Sequence, residues 1–376
     1  MKSKNFIGQD GFIWFVGVVE DRADPTHTGR VRVRCLGYHT DNKDDLPTAD
    51  LPWASPVLPI TSSGISGIGQ TPLGLLEGSW VFGFFRDSTF AQEPVIVGSL
   101  PGRPSEHGNP LKGFYDPRPR EDDEKKSILP KEIDEPDTNR LAVNNKDKEA
   151  ASLTQRKADR ITGLATADFD AATAADGAVI EQSLYDTWDQ PEIAYNSQYP
   201  YNHVYESESG HIVEFDDSFV IDEEGKRTNH YRIHMRHASG TSTEIVNNGD
   251  LIALNKNDIY NLTTRNSKVH IGGLSDITIG GRHKIYINKD GQTNNNYDIQ
   301  VGPNANINIQ VDTGNINLVT KEGNVNVNSA GNYNVKVGGN YTLLVDGNKT
   351  ETIEGSKTSN TSGAVIHRGK TIDLNP

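Results

Sequence analysis

The chain has 376 residues, a net charge of −14, only 34% apolar side chains and a single cysteine, Cys35. The acidic balance argues against nucleic acid, which needs a basic face to neutralise phosphates, and against docking on an anionic lipid surface. The low apolar content disfavours large compact cores and favours an extended shape or burial between chains, and one thiol leaves no intrachain disulfide.

Residues 12–102 read as a compact all-β domain. FIWFVGVVE and RVRVRCLGY are runs rich in Val, Phe and Ile, and DRADPTHTG between them has the Asp, Pro and Gly of a turn. WVFGFF and PVIVGSL add two more strands, each bounded by Gly or Pro. Four or five short strands in one small domain predict a Greek-key barrel. Cys35, inside RVRVRCLG, is read as a small core residue. The N-terminal MKSKNFIGQDG has no apolar segment of the signal-peptide kind, and no run of eighteen apolar residues exists to form a transmembrane helix. The expectation is synthesis in a cytoplasm without export by the usual route.

Residues 103–184 differ in kind. REDDEKK is a solvated charge cluster, and the Ala-rich part beyond it, including KEAASLTQRKADRI, suits short helices. The stretch is too poor in apolar residues for a core of its own and reads as an extended, polar, partly helical linker. Residues 185–246 regain strand character as a connecting β segment, in which HIVEFDDS and HYRIHMRHASGTSTEIV suggest a hairpin.

From Asn247 to Pro376 the chain repeats. Gly323, Gly331, Gly339, Gly347, Gly355 and Gly363 stand at a strict spacing of eight. With Gly at about a tenth of the chain, five successive hits have odds of roughly one in a hundred thousand, so a repeat is the safe reading. Gly273 and Gly281 fall eight apart as well, the sector 302–323 runs at nine, and KDGQTNNNYD interrupts the register. Within each octad the apolar residues alternate: Val325, Val327, Tyr333, Val335, Val337, Tyr341, Leu343 and Val345 are all odd-numbered, and most even positions are polar. That is period two, a strand with one buried and one wet face.

Each octad is therefore one short strand and a corner, the glycine serving where φ is positive or a Cβ would clash. Val325, Val327, Val335, Val337, Leu343, Val345 and Ile353 are the expected core, and the six glycines the corners. A strand so short is not stable alone and must stack on others at about 4.8 Å. A single-chain solenoid of three octads per coil fits this, and so do three chains winding together with one octad each per layer. The absence of a period of twenty-four and the low apolar content favour a homotrimer. Roughly sixteen octads at about 4.8 Å give a rod on the order of 80 Å long. Lys349, Glu351, Lys357 and Ser359 take odd positions too; either the rod narrows there with polar contacts across its axis, or the face rotates.

Three stretches resemble one family. WFVGVVEDRADPTHTGRVRVRCLGYH with LPTADLPWASPVLPITSSGISGIGQ is similar to the N-terminal OB (oligonucleotide/oligosaccharide-binding) barrel of the central spikes of T-even-type contractile-tailed phages. YPYNHVYESESGHIVEFDDS and HASGTSTEIV resemble the lead-in to the needle of those spikes, and the octads resemble their trimeric, triple-stranded β-helix. A more distant resemblance is to the VgrG spikes of type VI secretion, which begin with a large hub region ahead of the barrel. The resemblance implies a structural tail spike in the virion baseplate, joined to a baseplate hub protein and the tail tube. It implies a separate spike-tip protein as well, and puncture of the host outer membrane on sheath contraction. T-even spikes carry a lysozyme domain between barrel and needle; here that interval is the polar linker, so no enzyme is expected.

Other constellations read as structural. Glu206, Glu208, His211, Glu214, Asp216 and Asp217 could suggest a metal site, but alternation puts His211, Val213, Phe215 and Asp217 on one face and yields no compact ligand set. His230 and His234 share a face without a third ligand. His367 has the parity of Leu343, so three copies could meet on a trimer axis around an ion, but no metal site is assigned. No GxSxG, HExxH, CxxC or phosphate-loop pattern occurs, and no cofactor is expected.

Overall fold

The computed structural model describes residues 12–106, 108–118, 133–134, 136–139, 141–142, 195, 197–287 and 296–372. The Ala-rich part of the expected linker lies outside them. The chain falls into two units, the first ending at Lys284 and the second beginning at Ile285. Apart from two single-turn 3-10 helices, every regular element among the described residues is a strand.

The first unit opens with a closed barrel of β1 (Trp14–Asp21), β2 (Val31–Cys35), β3 (Trp53–Pro56), β4 (Trp80–Phe85) and β5 (Pro94–Ser99), in the order β1-β2-β3-β5-β4. Alternation decides its inside. In β4, Val81, Gly83 and Phe85 point inward and Trp80, Phe82 and Phe84 outward. Phe15, Val19, Val31, Val33, Cys35, Ala54, Val81, Phe85 and Ile96 form the core. Gly83 is required by close approach: a Cβ there would stand 2.7 Å from Phe15 Cζ and closer still to the Val95 carbonyl. The β1–β2 register slips between Val19 and Asp21, a bulge at Glu20, whose side chain is buried under the loop after β2. Arg34 donates to Glu20 through Nε at 2.6 Å and Nη2 at 3.2 Å, and to the carbonyls of Thr40 and Leu46 at 2.7 Å each. Thr48 Oγ1 donates to the same carboxylate at 2.6 Å. A buried pair with its remaining valences filled in this way ties the loop after β2 to the barrel wall.

The unit continues in a five-stranded antiparallel sheet of β6 (Asn202–Glu206), β7 (Ile212–Asp216), β10 (Arg232–Arg236), β11 (Ser242–Ile245) and β12 (Leu251–Leu254), ordered β12-β11-β10-β7-β6. Between β7 and β10 the chain makes a separate hairpin of β8 (Phe219–Ile221) and β9 (Arg227–Asn229). Beyond β12 the backbone is extended and bends at 256–257, 264–265, 272–273 and 280–281, eight residues apart.

In the second unit, bends fall at 312–314, 321–323, 330–331, 338–339, 346–347, 354–355 and 362–363, with extended backbone between them. Among the described residues from 255 to 372, none belongs to a strand.

Candidate functional site: an unpaired apolar face

From Val325 to Ile353 the octads place most of their apolar residues on odd positions, Leu344 being an even-numbered exception, and leave them uncovered. Val325, Val327, Val335, Val337, Leu343, Val345 and Ile353 are between 43% and 70% exposed. Runs of five or six extended residues with no neighbouring strand have unpaired backbone donors and acceptors along both edges, a template for pairing with another chain. The corner glycines sit in the bends, but only Gly323 of the six has a positive φ, 108°. At Gly331, Gly339, Gly347, Gly355 and Gly363 a Cβ would meet nothing within 4 Å. Nothing in their own chain demands glycine there.

The five-stranded sheet has the same character. Phe215, Ile233, Ile245 and Leu251 are register partners in turn across β7, β10, β11 and β12, and all four are exposed. Tyr205 and Met235 flank this row, both also exposed. The opposite face is buried and charged. Glu214, at 0% exposure, receives a hydrogen bond from Asn202 Nδ2 at 2.6 Å and lies 3.2 Å from His234 Nδ1. Arg232 Nη2 lies 2.6 Å from Glu214 Oε2, a contact of charges too poorly aligned to count as a hydrogen bond, and Arg232 Nη1 donates to Glu244 at 2.9 Å. Burial pushes the Glu214 carboxyl up, but His234, Arg232 and Asn202 together outweigh it and hold it below the usual range. Burial raises the Asp216 carboxyl, against its hydrogen bonds from Ser218.

The acidic and His-containing cluster noted in the sequence is therefore split. Glu214, Asp216 and His234 go into the buried network. His211 stacks on His237 on the exposed side, ring centroids 4.5 Å apart. His230 donates its backbone N–H to the Ser218 carbonyl at 2.8 Å. Among the described residues no group of three His, Cys, Asp or Glu side chains is placed to hold a metal. His367 is exposed between the bends at 362–363 and 370. On the polar octads, Lys349 and Lys357 both reach Glu351, at 3.3 and 2.8 Å. The sequence did not disclose Arg232 and Glu244 as members of a buried network; their spacing of twelve across a hairpin is its one trace.

Comparison with known proteins bears on both ends of the chain. The family described as the Gp5 N-terminal OB domain matches residues 37–192, and three copies of the Gp5 C-terminal repeat match 331–354. A protein named Gp5 from Vibrio phage KVP40 is 37% identical over 295 residues, 75% of this chain and 66% of that protein. The chain is thus similar to Gp5 proteins both in the barrel region and in its C-terminal repeats. The pre-baseplate central spike protein Gp5 of Enterobacteria phage T4 is 45% identical over 109 residues, 28% of this chain and 19% of that protein. The chain thus spans just under two thirds of the first Gp5 relative's length and a fifth of the second's. The stretch matched by the three Gp5 repeats begins at Gly331, and the octads within it open on Gly331, Gly339 and Gly347.

Proposed function

We propose that this chain is the structural subunit of a homotrimeric central spike in a phage tail baseplate. The observation that carries the reading is the unpaired octad: extended, periodically bent, apolar on one parity, and without a strand partner in its own chain. A solenoid would pair octads within one chain, and the described residues contain no such pairing. Three copies wound together supply the missing strands, bury the odd-numbered side chains on a shared axis and give glycine a reason at corners where its own chain gives none. A closed three-sided winding has no lateral edge to aggregate. The exposed row Phe215–Ile233–Ile245–Leu251 presents the first unit's sheet for the same kind of burial.

In this reading the barrel joins a baseplate hub protein and the tail tube, and the octads form the needle. Its tip takes a separate cap protein, and sheath contraction drives it through the host outer membrane. That the relatives are phage proteins favours the phage spike over a secretion-system spike. The protein works mechanically in this reading: the interval between barrel and sheet is polar and too poor in apolar residues to hold a muramidase cleft with its carboxylate pair. No axial ion at His367 is assigned.

Light scattering on purified protein tests the oligomer. A mass three times 41.3 kDa is expected, and a mass near 41.3 kDa would overturn the reading. Immunogold labelling of whole particles at the baseplate tests the location, and label elsewhere in the virion would sink it. Zymography with peptidoglycan is expected to be blank.

A further inference from the structure

The segment after β5 does not leave the barrel at once. Leu100 donates to the Trp80 carbonyl at 2.8 Å, Gly113 to the Asp41 carbonyl at 2.8 Å, and Lys43 Nζ to the Pro110 carbonyl at 2.9 Å, so residues 100–106 and 108–113 lie along the barrel. A later stretch returns to this wrap. Asp134 N donates to the Pro104 carbonyl and Asp137 N to the Gly102 carbonyl, both at 2.8 Å, while Gly102 N donates back to Asp137 Oδ2 at 2.7 Å. Two residues on, the same stretch grips the sheet. Asn139 Nδ2 donates to Glu206 at 2.7 Å, and the Leu141 carbonyl accepts from Tyr195 Oη at 2.8 Å and Asn202 Nδ2 at 3.2 Å. Leu141 is buried with Tyr195 and Ile212, and half-buried Val204 packs against them.

We propose that the described residues between 133 and 142 (133–134, 136–139 and 141–142) are a strap that fixes the barrel to the sheet independently of the peptide path between residue 142 and Tyr195. Its sheet end is wired into the buried charges. Asn202 Nδ2 is shared between Leu141 and Glu214, and the Arg232 guanidinium lies 5.0 Å from the Tyr195 ring that holds Leu141. Lifting Leu141 strips Tyr195 and Asn202 of a partner and opens a path for water to Glu214, so the strap and the network hold each other closed. Arg22 adds a second tie from the barrel side, donating in a fork to both oxygens of Glu208 at 2.9 Å each while Nε lies 3.3 Å from Glu77. The strap lies within one chain, so its test and the trimer test fail separately.

Hydrogen exchange on the full-length protein tests it. Amides of residues 133–142 are expected to be protected to the level of β10 and β11. Combining Asn139→Ala with Leu141→Ala should speed exchange at 133–142 and 102–104 at least tenfold, with β1–β5 and β10–β11 still protected. Spin labels at Asp44→Cys and Asn248→Cys, diluted with unlabelled protein, should then show a broader distance distribution; buried Cys35 leaves those two the reactive sites. Should the double variant not fold, Asn139→Ala alone keeps the Leu141 side chain and is expected to move both readouts in the same direction by less. Exchange at free-peptide rates in the wild type, or an unchanged distance distribution in the folded variant, would overturn the strap.

Discussion

Leu343 and Leu344 offer a matched pair for testing which face of the octad is buried between chains. They are neighbours with the same side chain and opposite parity, 55% and 85% exposed in the isolated chain. Leu→Ala removes three carbons, about 2.4 kcal/mol of transfer free energy at about 0.8 kcal/mol each when burial is complete. Some 55% of Leu343 remains to be covered on association, so about 1.3 kcal/mol per copy is at stake there. Three copies in one layer bring this to about 4 kcal/mol, a thousandfold in trimer formation, before any cavity contribution. Leu344, on the wet face, should lose within about 0.5 kcal/mol. Sedimentation equilibrium across a dilution series in mild denaturant, at fixed protomer concentrations, reads both. Equal effects at the two positions, or a larger one at Leu344, would refute the parity argument and the needle axis built on it.

Four further outcomes are expected. Glu214→Gln leaves Arg232 with Glu244 as its remaining buried counter-charge and should lower the free energy of unfolding, read by chemical denaturation, by up to about 3–5 kcal/mol; replacing Glu214 and Arg232 together by apolar residues should recover much of it. Glu214 and Glu208 are both held below the usual carboxylate range, Glu208 chiefly by its hydrogen bond from Arg22. Depressed folded-state values mean their stabilisation is full above the unfolded carboxylate pKa of about 4.3 and is lost as pH falls through the folded values, so thermal melting should decline below about pH 4. Asp216 has the opposite sign, its carboxyl raised by burial, so Asp216→Asn should raise the melting temperature at pH 7 and lose that advantage in acid. Burial pushes the Cys35 thiol up to about 12, so iodoacetamide at pH 8 should add no mass until the barrel is unfolded.

Local chemistry was the readable part of the chain. The strands of the barrel stand where Val, Phe and Ile alternate between turn residues, and DRADPTHTG is a turn because Asp24 accepts from the backbone and side chains of Thr26, Thr28 and Arg30. The octad is legible for the same reason: each repeat is set within eight residues. What depends on distant partners is not. Alternation in HIVEFDD says that Val213 and Phe215 share a face, but not that the other face, with Glu214 and Asp216, is the buried one. That outcome rests on Arg232, His234 and Glu244 arriving from β10 and β11. The strap was hidden similarly, because Asn139 and Leu141 sit in a polar stretch and acquire a role only through Asn202, Glu206 and Tyr195, sixty residues on.

The inverted sheet follows once the two faces are weighed as competing interfaces. A face made of Glu214, Asp216, Arg232, His234 and Glu244 cannot enter an interchain core without stranding charge, unless partner groups match it closely. Closed within the chain, Glu214 is matched by Asn202, His234 and Arg232, and Arg232 by Glu244, which adds little net stability but leaves Phe215, Ile233, Ile245 and Leu251, flanked by Tyr205 and Met235, as an exposed apolar row. In the proposed trimer, association is then restricted to one face. In the octads the polar even positions do the same work more cheaply, since Asn and Thr side chains in water need no partners. Phe215, Ile233, Ile245 and Leu251 in the sheet and the odd-numbered apolar residues from Val325 to Ile353 in the octads meet neighbouring chains in that trimer. Insertion of one residue inside an extended run, between Tyr341 and Leu343, should weaken the trimer, whereas insertion of a whole octad at a bend should be tolerated.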